Sequence, residues 1–279
     1  MSHPSRLTNL LLIISAVFAF FPSSVAQVGV CTSATCWSYS SSTGPSAWAG
    51  LTPFAYCNQA NNTTQQQSPI NIGPPTKVDT SLTLAVHYNG VPVSVEDTGY
   101  TIEANYGAGG SQNYVTYGGT RYNLLQFHFH QPSEHQMSGT GASMEVHLVH
   151  KAALANGATD PNGAYLVVGV LINIPTTGGY NAGFNKVMTA YKSHNKPQET
   201  IDPIQMIPGT ANVSNINFYN YSGSLTTPPC TPGVIWAVLE KPITVSQEQL
   251  NNIPYPYPNS SRGVQTTISN LPLVSNFQP

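Results

Sequence analysis

The chain has 279 residues and a formal net charge of −2, with 9 Lys+Arg, 11 Asp+Glu and only 7% charged residues. That length accommodates one large domain or two small ones. So weak a charge cannot track a nucleic-acid backbone, and 40% hydrophobic residues exclude wholesale disorder.

From the N-terminus, Leu10–Phe21 is apolar apart from Ser15, and Ser24-Val25-Ala26 follows as a small-x-small signature. The run is shorter than the ~20 residues that span a bilayer. It reads as a signal peptide, residues 1–26, cleaved after Ala26, with an N-terminal membrane anchor as the alternative. Residues 27–279 are then expected to form one domain in the extracellular or cell-wall space. No later segment is long and apolar enough to span. Sequons at Asn61, Asn62, Asn212, Asn220 and Asn259 agree with export. The four cysteines, Cys31, Cys36, Cys57 and Cys230, allow two disulfides in three connectivities. They lack the paired CxxC spacing of a zinc knuckle.

Pro and Gly, 23 of each, break the chain into short pieces. β-Branched and aromatic runs predict strands at Leu82–Tyr88, Val91–Val95, Tyr114–Tyr117, Asn123–Phe129, Met144–His150, Tyr165–Ile174, Ile216–Tyr219 and Gly233–Leu239. Tyr165–Ile174 is nearly all apolar, so both its faces should be buried. Helical spacing appears at Asn181–Ser193, with Phe184, Val187, Met188 and Tyr191 on one face, and at Ser246–Asn251, with Ser246 as N-cap. The fold class expected is mainly β, with a few short helices and long ordered loops.

Chemistry enters with the histidines. Five of the eight fall within Asn123–Lys151. In Gln126-Phe127-His128-Phe129-His130 strand alternation puts His128 and His130 on one face and the two Phe on the other. In Glu145-Val146-His147 the Glu and His share a face. If the two strands are neighbours, His147 completes a three-His cluster with an open fourth position, the pattern of a catalytic zinc. Hydrogen-bonded core histidines or a surface accident would give the same spacing. His135 and His150 fall outside the alternation and read as structural hydrogen-bonding residues. His87 and His194 read as ordinary sheet or surface residues.

At these residues the sequence resembles the alpha-class carbonic anhydrases. The resemblance runs through Trp37-Ser38-Tyr39, Gln67-Ser68-Pro69-Ile70-Asn71-Ile72, Gln126-Phe127-His128-Phe129-His130, Ser133-Glu134-His135 and Glu145-Val146-His147-Leu148-Val149-His150. It continues in Tyr221-Ser222-Gly223-Ser224-Leu225-Thr226-Thr227-Pro228-Pro229-Cys230 and Val234-Ile235-Trp236. The short loop before Met144 is closer to bacterial, plant and fungal members than to animal ones. The resemblance implies one domain on a large, twisted, mostly antiparallel central sheet. It implies a lyase in which His128, His130 and His147 hold Zn2+, and a zinc-bound hydroxide reversibly hydrates CO2 to bicarbonate and a proton. Ester hydrolysis is the implied side activity, and sulfonamides and anions the implied inhibitors. Thr226 should accept a hydrogen bond from the zinc hydroxide and donate its own to Glu134, and Gln126 and Glu145 should orient His128 and His147. Val149, Val167, Leu225, Thr227, Val234 and Trp236 should form the substrate pocket. In secreted members the cysteine matching Cys230 bridges to one before Gln-Ser-Pro-Ile, which implies Cys57–Cys230. Cys31 and Cys36 are left over; they close a local loop, or one of them joins two chains as a homodimer.

Two positions depart from the family pattern. Thr98-Gly99-Tyr100 stands where the family's proton-shuttle His follows Asn-Gly, and a Tyr, with an ordinary pKa near 10, cannot relay protons at neutral pH as a His can. Asn259-Ser260-Ser261-Arg262 stands where Asn-x-Arg-Pro is usual, so the contact from this segment to the second zinc His is not carried over. Two rival functions are a metal-free carbonic-anhydrase-related binding module and a zinc hydrolase of another fold. The first would have lost a zinc His. The second lacks its helical H-E-x-x-H motif here.

Overall fold

The β-branched and aromatic runs pair edge to edge into a large curled sheet. The computed structural model describes residues 36–51, 54–58, 65–107, 112–194, 198–209, 216–252, 254–266, 268 and 271–279. Among these the main sheet has twelve strands. Its long axis runs Lys77–Val78, Val274–Ser275, Phe218–Ser224, Pro232–Leu239, Tyr165–Asn173, Met144–Ala152, Thr120–His130, Ile102–Asn105, Ser94–Asp97. Most neighbours are antiparallel, but Tyr165–Asn173 and Pro232–Leu239 are parallel. Tyr165–Asn173 lies at the centre, and only its two end residues escape full burial, as its apolar run predicts.

Two strand expectations are corrected. Val91–Val95 is two strands: Val91–Pro92 pairs with Thr200–Ile201 in a separate ribbon, while Ser94–Asp97 pairs with Ile102–Asn105 at the edge of the main sheet. Pro92 has no N–H to give a continuous ladder. Ile216–Tyr219 is shifted to Phe218–Ser224, because Pro232–Leu239 offers partners as far as Ser224.

The face of Thr120–His130 opposite the histidines holds the larger core. Phe127 and Phe129 are fully buried there, and Phe129 meets Phe184 of helix Ala182–Lys192 edge to face at 5.2 Å. Asn181 caps that helix, its side chain accepting from the Phe184 N–H at 2.8 Å. The second helix, Gln247–Asn252, starts with a reciprocal box: Ser246 Oγ accepts from Gln249 N and Gln249 Oε1 accepts from Ser246 N, both at 3.2 Å.

Cys57, in the turn Ala55–Cys57, is bonded to Cys230, as the resemblance implies, across 173 positions. Both cysteines are buried beside Trp48 and Phe54. The chain-entropy account assigns a loop of that length about 4–5 kcal/mol. Cys57→Ser should lower the unfolding free energy in urea by an amount of that order; a change under about 1 kcal/mol would show the link to be energetically idle. The expected signal peptide, Cys31 with its pairing to Cys36, and the sequons at Asn61, Asn62 and Asn212 lie outside the described residues. No helix among the described residues is long and apolar enough to cross a membrane.

Candidate metal centre

Strand register brings the three histidines together. Thr120–His130 and Met144–Ala152 are antiparallel neighbours with His147 directly opposite His128 and Glu145 opposite His130. His130 and His147 are 1% exposed, and His128 is half-buried. The ligating nitrogens of all three lie within 4.8 Å of one another.

The partners of each ring settle which nitrogen carries a lone pair. His128 Nδ1 donates to Gln126 Oε1 at 2.8 Å, as expected for Gln126. His130 Nδ1 donates to the Ser260 carbonyl at 2.5 Å. His147 Nε2 lies 3.0 Å from Glu145 Oε1. None of these oxygens can donate, so the N–H sits on the nitrogen that faces it. Nε2 of His128, Nε2 of His130 and Nδ1 of His147 are left as acceptors, and the first two are only 3.1 Å apart. Lone pairs crowded like this in a buried site repel unless a cation lies between them. Burial and the neighbouring rings hold the pKa of all three below the usual imidazole value, so all are neutral, as metal ligands must be. The donor set fits zinc, with three imidazoles and an open fourth side.

A second group, His135, Glu145 and His147, is also close enough to share an ion. There His135 has no nitrogen to spare. Its Nδ1 is 2.7 Å from Glu145 Oε1 and its Nε2 2.7 Å from the Tyr221 hydroxyl. Glu145 Oε2 also accepts from the backbone N–H of Glu134 at 2.9 Å and of His135 at 2.8 Å. Burial would raise the Glu145 carboxyl, but the His135 and His147 rings against it outweigh burial and hold it well below the usual carboxylate range. Glu145 is thus a fixed charge behind His147. Gly169 makes room for it, since a Cβ there would come within 3.0 Å of Glu145 Oε1. His150 is likewise structural, between the Tyr88 hydroxyl at 2.7 Å and the Leu166 carbonyl at 3.2 Å.

Glu134 is buried 3.6 Å from His130 Nδ1 and 3.8 Å from His147 Nδ1. Burial pushes its pKa up to about 7, opposed by His147, the Thr226 hydroxyl and the Arg262 backbone N–H, which donates to Oε1 at 2.8 Å. A dication between the histidines would pull it back towards the ionised form.

Before the cluster opens a cavity of about 270 Å³. His128, His147 and Thr226 line it, with Val149, Val167, Leu225, Thr227 and Trp236 as its largely apolar wall. Val234 is buried in the apolar cluster behind that wall and is not among the cavity's lining residues. Tyr100 is not among them either: its ring stacks on Trp37 at 4.1 Å and its hydroxyl donates to the Trp37 carbonyl at 2.9 Å. Sequence reasoning missed Leu125 and Tyr165 in the lining, and Ser260 and Arg262 behind the cluster. Tyr165 was readable, since it shares a strand face with Val167. Ser260 corrects an expectation: despite the departure from Asn-x-Arg-Pro, this segment does keep its contact to His130, because the contact runs through a backbone carbonyl that any residue carries.

The family model for eukaryotic-type carbonic anhydrase matches residues 43–279. The chain belongs to the alpha carbonic anhydrase family. It is 36% identical over 214 residues to a carbonic anhydrase of Neisseria gonorrhoeae, covering 76% of this chain and 77% of that one. To alpha carbonic anhydrase 2 of Arabidopsis thaliana it is 33% identical over 201 residues, 71% of this chain and 76% of the relative. The solved alpha carbonic anhydrase of Thermovibrio ammonificans, in complex with the inhibitor sulfanilamide, superposes with a TM-score of 0.68 at 31% identity, covering 86% of this chain and 99% of that one. As a carbonic anhydrase the chain is a lyase, and its family membership supports CO2 hydration.

Proposed function

We propose that the protein catalyses zinc-dependent, reversible hydration of CO2 to bicarbonate and a proton. The observation that carries this is the convergence of three neutral lone-pair nitrogens, two of them 3.1 Å apart, with His128 and His147 lining a cavity that has an apolar wall. His128 and His130 would hold zinc through Nε2 and His147 through Nδ1. Zinc, when bound, supplies the Lewis acidity that brings the pKa of water down to about 7. The rest falls to the chain's own groups. Gln126, the Ser260 carbonyl and Glu145 hold the three rings in one tautomer and orientation. With its hydroxyl donated to the neighbouring Glu134, Thr226 would only accept a hydrogen bond from the attacking water, and so would aim that water's lone pair at carbon. CO2 has no charge and needs only the greasy surface of Val149, Val167, Leu225 and Trp236.

Sulfonamides and small anions are the proposed inhibitors, ester hydrolysis the proposed side activity, and export the proposed destination, in keeping with the Cys57–Cys230 bond. Metal analysis of the purified protein beside stopped-flow CO2 hydration, with and without a sulfonamide, tests the reading. About one zinc per chain and sulfonamide-sensitive hydration are expected. Protein without metal or hydration would point instead to the binding-module alternative.

Proton export is expected to be slow, because Tyr100 is committed to Trp37 and no imidazole occupies its position. Tyr100→His should raise hydration several-fold in weak buffer while leaving CO2 capture at low concentration nearly unchanged. Imidazole added to wild type should partly reproduce the gain. Wild-type rates insensitive to buffer concentration would show that another internal relay serves.

A further inference from the structure

The row of the sheet beyond the cavity's apolar wall carries a pair of residues that CO2 hydration does not use. Along Met144–Ala152, His147, Val149 and Lys151 alternate onto one face, and across the ladder they stand opposite Gly169, Val167 and Tyr165. Four residues of strand put Lys151 about 13 Å from His147, next to Tyr165 but not itself among the residues lining the cavity. Tyr165 lines the cavity and packs against the wall cluster of Val149, Val167 and Trp236. The Lys151 ammonium sits 4.9 Å from the centre of the Tyr165 ring and donates to the Pro161 carbonyl at 2.6 Å. Two further ammonium hydrogens remain for other acceptors. Among the described residues the only lysine ion pair is Lys77–Asp79, so the Lys151 ammonium, beside the Tyr165 ring, has no carboxylate within 4.0 Å.

We propose that Lys151 and Tyr165 form a subsite for carboxylates carried on an apolar chain, with the chain against Tyr165 and the carboxylate on Lys151. A ligand anchored at the histidine cluster by a sulfonamide reaches this subsite when its para substituent is a short chain ending in an acid. The proposal rests on the zinc reading above, because the sulfonamide is the anchor.

The test is calorimetric titration of the zinc-loaded protein with three probes. These are benzenesulfonamide, a para-alkyl benzenesulfonamide ending in a carboxylate, and the same compound ending in a neutral carboxamide. Wild type should bind the carboxylate about three- to fivefold more tightly than the carboxamide, the scale of an exposed ion pair. The preference should fade in high salt. Lys151→Gln should erase it, Lys151→Arg should keep it, and benzenesulfonamide should bind all three proteins alike. Tyr165→Leu should weaken both elongated probes. Benzenesulfonamide binding with no carboxylate preference, or a preference that survives Lys151→Gln, would overturn the subsite alone. Failure of benzenesulfonamide to bind any of the proteins would overturn the zinc reading, and the subsite with it.

Discussion

Replacing His147 by alanine should strip the protein of zinc and lower CO2 hydration to the uncatalysed background. Two imidazoles on one strand, His128 and His130, cannot hold a tetrahedral ion as three can. The loss has a graded counterpart. Glu145→Gln keeps the ligand and removes the charge 3.0 Å behind it, and should weaken zinc affinity by about 10–100-fold. His150→Gln supplies the contrast. That residue is as buried as His147 and three positions away, but its nitrogens face Tyr88 and Leu166. It should cost stability and leave zinc in place. Zinc content after dialysis against a competing chelator separates the three. His147→Ala protein that kept a full complement of zinc and wild-type rates would refute the assignment of that ligand.

The second large effect concerns Arg262, which is 2% exposed. Its Nη1 donates to Gln67 Oε1 at 3.0 Å and to the Ser68 carbonyl at 2.6 Å, and its Nη2 to the Cys57 carbonyl at 2.8 Å. Its backbone N–H holds Glu134. Burial lowers its pKa to about 10, which still leaves it charged at neutral pH. One side chain therefore joins the segment carrying Cys57, Gln67 and Ser68 to the segment that supplies Ser260 to His130. Arg262→Gln cannot reach all three acceptors and leaves buried oxygens unsatisfied, so a loss of about 3–5 kcal/mol in unfolding free energy is expected. Arg262→Lys keeps the charge but not the fork, and should fall between. Urea midpoints at constant slope measure both. A loss under about 1 kcal/mol for Arg262→Gln would show that water or neighbouring donors replace the guanidinium.

Much of this site could be read from the chain because its parts are local. Alternation within Gln126–His130 and Glu145–His147 decides which side chains share a face, since a strand has a period of two. A nearly unbroken apolar run, in place of alternation, marked Tyr165–Ile174 as a strand buried on both faces. The helix cap at Ser246 was legible for a similar reason: a cap is a contact between residues three apart.

What the sequence by itself determined, then, was the identity and the facing of the candidate ligand side chains, and by resemblance the family they belong to. Only the tertiary structure decided that the two histidine strands are neighbours in a register that sets His147 against His128. It alone showed that the Ser260 carbonyl braces His130, and that Tyr100 is turned onto Trp37 while Tyr165 enters the cavity. The physical reason is that these contacts run between residues far apart in the chain, and several use backbone atoms. A carbonyl or N–H is the same at nearly every position, so its partner is chosen by how the sheet and loops pack and not by residue type.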